Sequence, residues 1–303
     1  MNSLNVNLAG LVLDNPIIPA SGTFGFGYEF SKIYNINILG SIVLKSVTKK
    51  KLFGNPTPRI AECENGMLNS IGLENPGVKD AVKKIFNLKK IFKKKVVASV
   101  AGFSKDEYKF VTEKISKIPN VGIVELNLSC PNVEEDGINF SSKKRSVISI
   151  CKAVKSVSSK PIFAKLSPNV TDITEIALAA QGADVDGITL CNTLLGLELE
   201  SKTGKPVLPR KIAGFSGRAI KPINLRCVYQ VYKKINIPIM GVGGVQVAED
   251  ILDYMSAGAV AVQVGSENLV NPMVCQKIIE DLPKKLREYR IKNISDIIGR
   301  SHR

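Results

Sequence analysis

Eight short, β-branched apolar runs, most of them separated by helix-length spacers, constrain this chain more than any other feature. They lie at residues 17–20, 41–45, 96–100, 122–127, 162–166, 187–192, 237–241 and 259–265. Short runs that are apolar on both faces suit parallel strands covered by helices, and helical patterns between them give β/α alternation. Eight units in 303 residues predict an α/β protein with one closed (β/α)8 barrel. The rival is a doubly wound open sheet, which usually carries G-x-G-x-x-G after its first strand. Ala20-Ser21-Gly22-Thr23-Phe24-Gly25 does not match that pattern. No composition shift or Pro/Ser-rich linker divides the chain, so a single domain over residues 1–303 is expected.

Three segments, 48–77, 131–145 and 194–217, are too long for ordinary βα loops, and each follows the end of an apolar run. In a TIM barrel those ends share the C-terminal face, where active sites are built, so the insertions are expected to lie over that face.

Composition narrows the function classes. With 44% hydrophobic and 23% charged residues, the chain can bury a large core, which excludes disorder. No apolar stretch approaches the roughly 18 residues of a membrane helix. The first basic residue is Lys32, so the positive start of a signal peptide is missing and a cytoplasmic location is expected. The cysteines at 63, 130, 151, 191, 227 and 275 have no C-x-x-C spacing and read as mostly reduced core residues, with no metal site. The single histidine, His302, stands next to last, so proton transfer falls to Cys, Lys, Asp, Glu, Ser or Tyr.

A net charge of +15 invites a nucleic-acid partner. The basic residues, however, cluster in runs such as 49–51, 93–95 and 143–145, and residues 78–95 read as an amphipathic helix with a lysine-rich outer face. There is no tryptophan, and no aromatic residues interleave with these runs to stack bases. The charge therefore reads as solvated surface.

Residues just past the predicted strands converge on one cavity: Ser21, Lys45, Asn127, Lys165 and Asn192, with glycines after the last two. Lysines at the mouths of buried strands need an anion or strong acceptors, which favours an anionic ligand or cofactor over structural ion pairs. Gly241-Val-Gly-Gly244 follows the seventh run and Gly265-Ser266 the eighth. Loops there often bind phosphate through backbone N–H groups, so together they point to a phosphorylated cofactor. Cys130 opens a long loop after the fourth run. A lone cysteine is usually an inert small hydrophobe, but a thiol held near Lys45 in a lidded site gains thiolate character and can act as a base.

Longer stretches carry a resemblance. Asn15-Pro-Ile-Ile-Pro-Ala-Ser-Gly-Thr-Phe-Gly-Phe-Gly27, Gly54-Asn-Pro-Thr-Pro-Arg59, Met67-Leu-Asn-Ser-Ile-Gly-Leu-Glu-Asn-Pro-Gly77, Leu126-Asn-Leu-Ser-Cys-Pro-Asn132, Lys165-Leu-Ser-Pro-Asn-Val-Thr-Asp172, Asn192-Thr193 and Ile239-Met-Gly-Val-Gly-Gly244 occur in the order seen in dihydroorotate dehydrogenases. The likeness runs from about residue 4 to 290, and its start and its cysteine base resemble the class 1B catalytic subunits of that family.

The resemblance implies FMN across the barrel mouth, held by Ser21, Lys45, Ser46, Ser99, Asn127, Lys165, Leu190, Gly217, Gly243, Gly244, Gly265 and Ser266. The glycines would hold its phosphate, and Lys165 would favour the anionic reduced flavin. Lys45, Asn69, Ser70, Ile71, Gly72, Leu73, Asn127, Asn192 and Thr193 would bind dihydroorotate or orotate, with Lys45 on the carboxylate and asparagines on the ring's amide and carbonyl groups. Cys130 would take the C5 proton of (S)-dihydroorotate while hydride leaves C6 for the flavin, in the route to pyrimidine nucleotides. The class 1B resemblance further implies a homodimeric core joined by an electron-transfer subunit into a heterotetramer. That subunit would carry FAD and a [2Fe-2S] cluster and pass electrons to NAD+. A class 1A-like homodimer using fumarate is the alternative, and another FMN barrel acting on a related ring is a more distant one. Departures from the family pattern are Ser99 in Val97-Ala-Ser-Val-Ala-Gly102, Arg218 in Ala213-Gly-Phe-Ser-Gly-Arg218, and the acidic stretch beginning Glu134-Glu-Asp136.

Overall fold

The computed structural model describes residues 3–129 and 143–303. Its strands are β1 (Val6–Leu8), β2 (Leu11–Leu13), β3 (Ile17–Pro19), β4 (Ile60–Cys63), β5 (Gly66–Asn69), β6 (Val96–Val100), β7 (Val121–Asn127), β8 (Ile162–Leu166), β9 (Gly187–Leu190), β10 (Leu194–Gly196), β11 (Ala213–Ser216), β12 (Ile239–Val242) and β13 (Ala259–Val264). Its α-helices are α1 (Val78–Leu88), α2 (Lys105–Ser116), α3 (Lys144–Lys155), α4 (Ile173–Gln181), α5 (Lys221–Tyr232), α6 (Ala248–Ser256), α7 (Glu267–Val270) and α8 (Val274–Glu288).

Seven of these strands form one parallel sheet in the order β3-β13-β12-β9-β8-β7-β6. Every residue of β6, β8, β9 and β12 is buried, as the apolar runs predict for strands covered on both faces. The remaining run, at 41–45, is bridged rather than laddered. Residues 40–47 lie between β3 and β6: Gly40 N donates to Ile17 O (3.1 Å) and Val43 N to Pro19 O (3.1 Å), while Leu44 N donates to Val97 O (2.9 Å) and Val47 N to Ser99 O (3.0 Å). This segment joins the two edges of the sheet and closes the (β/α)8 barrel.

The helices form by local rules. In α1, Val78, Ala81, Ile85 and Leu88 recur at helical spacing and are buried. The Ser104 hydroxyl caps α2 by accepting from Glu107 N (3.2 Å), and Glu107 in return accepts from Phe103 N (2.9 Å). Asp172 caps α4 by accepting from Thr174 N (2.8 Å). α1 stops at Leu88, short of the helix expected over residues 78–95. The chain turns there so that Phe92 enters the core and β6 can begin at Val96. The lysines beyond the turn are not a helix face: Lys93 Nζ donates to Lys90 O (2.8 Å), Lys94 Nζ to Leu39 O (2.7 Å) and Lys95 Nζ to Pro119 O (2.6 Å).

Two of the long insertions are a single structure. β4 and β5 form a hairpin within the 48–77 insertion, β10 and β11 come from the 194–217 insertion, and the four make one antiparallel sheet in the order β10-β11-β5-β4. Most of the 131–145 insertion lies outside the described residues. Among the described residues, no helix is long and apolar enough to cross a membrane.

Packing between β8 and β9 requires a residue without a side chain. A Cβ added at Gly187 would stand 2.2 Å from the Phe163 ring. We expect Gly187→Ala to destabilise the chain by about 1–3 kcal/mol in urea unfolding, through forced displacement of that ring. Gly187→Ala combined with Phe163→Leu should lose less than the sum of the two single changes, since they share one contact.

Candidate active site

The barrel mouth opens into a cavity of about 460 Å³ between the strand ends and the four-stranded sheet. Among the residues proposed from sequence, Ser21, Lys45, Ser46, Asn69, Ser70, Ile71, Gly72, Leu73, Asn127, Lys165, Asn192 and Thr193 all line it. Ser99 and Leu190 stand behind the wall instead. Leu190 is fully buried, and Ser99 is hydrogen-bonded at 2.8 Å to Ser46. Gly217, Gly243, Gly244, Gly265 and Ser266 belong to loops at the same ends of the barrel strands but not to this lining. Cys130 lies outside the described residues, one position after Ser129, which lines the cavity.

Its polar wall is a relay. Ser46 accepts from Asn127 Nδ2 (3.3 Å), Asn127 Oδ1 accepts from Asn192 Nδ2 (3.3 Å), and Asn192 Oδ1 accepts from Thr193 N (2.8 Å). These links orient the amide groups so that their remaining donors and acceptors face the cavity. Across the mouth, Asn69 Nδ2 donates to Gly214 O (3.2 Å), which ties the 48–77 insertion to the 194–217 insertion.

The loop carrying residues 70–73 is wound on Arg59. The guanidinium donates to Asn55 O (2.5 Å) and Phe53 O (2.6 Å) and pairs with Glu74 (2.6 Å), while Asn55 Nδ2 reaches Ser70 O (3.1 Å) and Ser70 Oγ (2.8 Å). Asn55, Phe103, Ser167, Asn169 and Arg210 also line the cavity and were missed in the sequence reading. Ser167 and Asn169 share the motif that begins at Lys165, so their spacing was a usable signal. Arg210 sits in an insertion without a recognisable pattern and gave none.

Two lysines face this space. Burial holds Lys45 below the usual lysine value; Glu74 opposes that shift and Arg59 adds to it. Glu74 is itself occupied by Arg59, and among the described residues no carboxylate makes an ion pair with Lys45. Lys165 is 5% exposed, and its Nζ reaches Ser21 Oγ at 3.4 Å, Gln263 Oε1 at 3.5 Å and Glu125 Oε1 at 3.9 Å. All three are long beside the about 2.7–2.9 Å of charge-assisted bonds. Both lysines can therefore accept a further anionic or acceptor partner.

The phosphate-type loops have their own organiser. Asp250, in the first turn of α6, accepts from Gln246 N (2.8 Å), Val247 N (3.0 Å), Arg218 (2.5 Å) and Lys221 Nζ. Arg218 also donates to Gly244 O (3.2 Å), so the departure at that position clamps the two loops together. Gly244 has φ +65°, and a Cβ there would meet Lys221 N at 2.8 Å. A Cβ at Gly265 would meet nothing within 4 Å, leaving room over the end of β13.

The sequence profile of the family described as dihydroorotate dehydrogenase matches residues 3–286. The chain belongs to the dihydroorotate dehydrogenase family. It is 51% identical over 298 residues, 98% of this chain and 96% of the other, to a Bacillus pumilus protein named dihydroorotate dehydrogenase B (NAD(+)), catalytic subunit. Proteins of the same name from Malacoplasma penetrans (48% identity, 100% of this chain and 99% of the relative) and Exiguobacterium sibiricum (47%, 100% and 98%) are similar over their whole length.

The site fits the flavin expected in this family. FMN needs acceptors and a cation against its ring system and amide donors for its phosphate. The loosely held Lys165 supplies the cation, Asn127 and Ser46 supply polar groups for the ring, and the space above Gly265 leaves room for the phosphate against that loop.

Burial would push the Asp250 carboxyl up, but bonds from Lys221, the Gln246 and Val247 amides and Arg218 outweigh it and hold it below the usual carboxylate range. Its contribution is thus present above the ordinary carboxylate pKa and lost as pH falls through the depressed value. Asp250→Asn should cost about 3 kcal/mol at neutral pH. The gap from wild type should narrow on acidification below about pH 4, measured by denaturant unfolding across pH.

Proposed function

We propose that this chain is the FMN-dependent catalytic subunit that oxidises (S)-dihydroorotate to orotate in pyrimidine nucleotide synthesis, with its electrons passing through a partner subunit to NAD+. The observation that carries the reading is the joining, in one cavity, of an uncompensated Lys45, a loosely held Lys165 and a ring of asparagines, in a chain of this family.

The substrate is a small cyclic imide bearing a carboxylate. Lys45 meets the carboxylate, and the desolvation that depresses its pKa also strengthens that attraction. Asn69, Asn127 and Asn192 have both donors and acceptors to match the ring's N–H and C=O groups. Ile71 and Leu73, from the 48–77 insertion, supply an apolar wall beside the substrate. Loss of the C5 proton and the C6 hydride leaves orotate's double bond. The proton goes to Cys130 Sγ as general base. FMN, when bound, supplies the acceptor for the hydride. Ser21, Ser46, Asn127 and Lys165 hold its ring system, with Ser99 supporting Ser46 and Leu190 packing from behind the wall. The amides around Gly217, Gly243, Gly244, Gly265 and Ser266 hold its phosphate.

The partner subunit carries FAD and a [2Fe-2S] cluster, since this chain's cysteine spacing offers no cluster site. Two copies of the chain form the core of the assembly. The exposed Leu195, Leu197 and Ile212, on and beside β10 and β11, support self-association through the four-stranded sheet.

Three outcomes test this reading. Anaerobic dihydroorotate should bleach the bound flavin, and NAD+ should restore its colour only when an electron-transfer subunit is present; reoxidation by fumarate alone would indicate the homodimeric alternative. Cys130→Ser should keep FMN yet reduce it at least about 100-fold more slowly at neutral pH. Orotate affinity should fall as pH rises through the depressed Lys45 value, because the carboxylate binds the charged form. Each further pH unit costs about tenfold, and Lys45→Met should remove this alkaline limb in flavin-perturbation titrations.

A further inference from the structure

Beneath the cavity floor, Glu125 of β7 is fully buried in a barrel interior otherwise filled mainly by apolar side chains. Its Oε2 accepts from Thr189 Oγ1 at 3.0 Å and from Gln263 Nε2 at 2.7 Å. Its Oε1 has no hydrogen-bond partner among the described residues and lies 3.9 Å from Lys165 Nζ. Gln263 spans the two, since its amide donates to Glu125 while its carbonyl accepts from Lys165 at 3.5 Å. Thr189 pairs in register with Lys165 across β8 and β9, so the network is fixed by the sheet itself.

Packing gives no reason for a carboxylate here. Removal of a buried carboxylate from water is unfavourable by several kcal/mol unless it is compensated, and an apolar side chain would fill the same volume. Lys165 is the only cation within ion-pair distance of it among the described residues. The contact is long and one carboxylate oxygen remains without a hydrogen bond, so the ammonium is tethered from below without being saturated. Its other side faces the cavity.

We propose that Glu125 is a positioning residue for the reaction: directly and through Gln263 it anchors Lys165 at the cavity floor and balances part of its charge, setting how strongly that lysine favours the reduced flavin. The proposal rests on the FMN reading above. Without the carboxylate, the lysine's full charge acts on the electron-rich reduced ring, so the bound flavin becomes easier to reduce.

The test is the reduction potential of bound FMN, measured by spectroelectrochemical titration of the full chain, with circular dichroism and FMN affinity as checks on folding. Glu125→Gln should shift the potential in the positive direction, and Glu125→Asp, which keeps the charge but withdraws it by one methylene, should shift it less in the same direction. If Glu125→Gln does not fold, the Glu125→Asp shift decides the question. In a Lys165→Met background, Glu125→Gln should leave the potential unchanged, because the residue acts through the lysine. An unaltered potential in both single variants, or an equal shift with and without Lys165, overturns the proposal while leaving the FMN reading intact. Failure of the wild-type chain to bind FMN overturns both.

Discussion

The site depends on closure of the strand ring. Parallel strands need cover on both faces and a partner on both edges, and an open seven-stranded sheet would leave the outer edges of β3 and β6 unpaired. Residues 40–47 satisfy both edges with six main-chain hydrogen bonds, two to β3 and four to β6 and the residue that follows it. Only then do Lys45 and Ser46 stand beside Asn127 and Lys165, which come from sequence positions more than 80 residues away. The closing segment is therefore also a site segment, which explains why it is bridged at Val43 and Val47 and irregular between them.

Cover over that site comes from pairing between insertions. β5 and β11 are about 145 residues apart in the chain, yet they register through Asn69 and Gly214, and the Asn69 side chain adds a second link. A sheet shared by two insertions holds the substrate walls to one another as well as to the barrel. Neither insertion alone provides more than a two-stranded hairpin, which is marginal in water.

Charge is managed by separate devices at different depths. Asp250 neutralises Arg218 and Lys221 and so keeps two glycine-bearing loops in place. Arg59, paired with Glu74, satisfies the Phe53 and Asn55 carbonyls of the loop at the cavity rim. Glu125 stands under Lys165 inside the barrel. In each case the charged group that faces the cavity or its rim is stabilised by another just behind it, and electrostatic preorganisation requires that arrangement.

The sequence by itself determined the number of β/α units, the face on which chemistry gathers, and the polar strand-end residues of the cavity, while Ser46, Asn69 to Leu73 and Thr193 were implied by the family resemblance. Those features depend on local periodicity and on polar residues placed at the ends of apolar runs, both of which are read along the chain. Lys45, Asn127, Lys165 and Asn192 were legible for that reason. Tertiary structure alone decided that α1 ends at Leu88, that Ser99 supports Ser46 from outside the cavity, that Arg218 clamps Gly244, and that two insertions make one sheet. It also gave Glu125 its meaning, because a glutamate within an apolar run has no visible partner until β7, β8, β9 and β13 are brought around a common axis. The physical reason is common to all of them: each depends on a contact between groups distant in sequence, whose energy exists only after the barrel has closed.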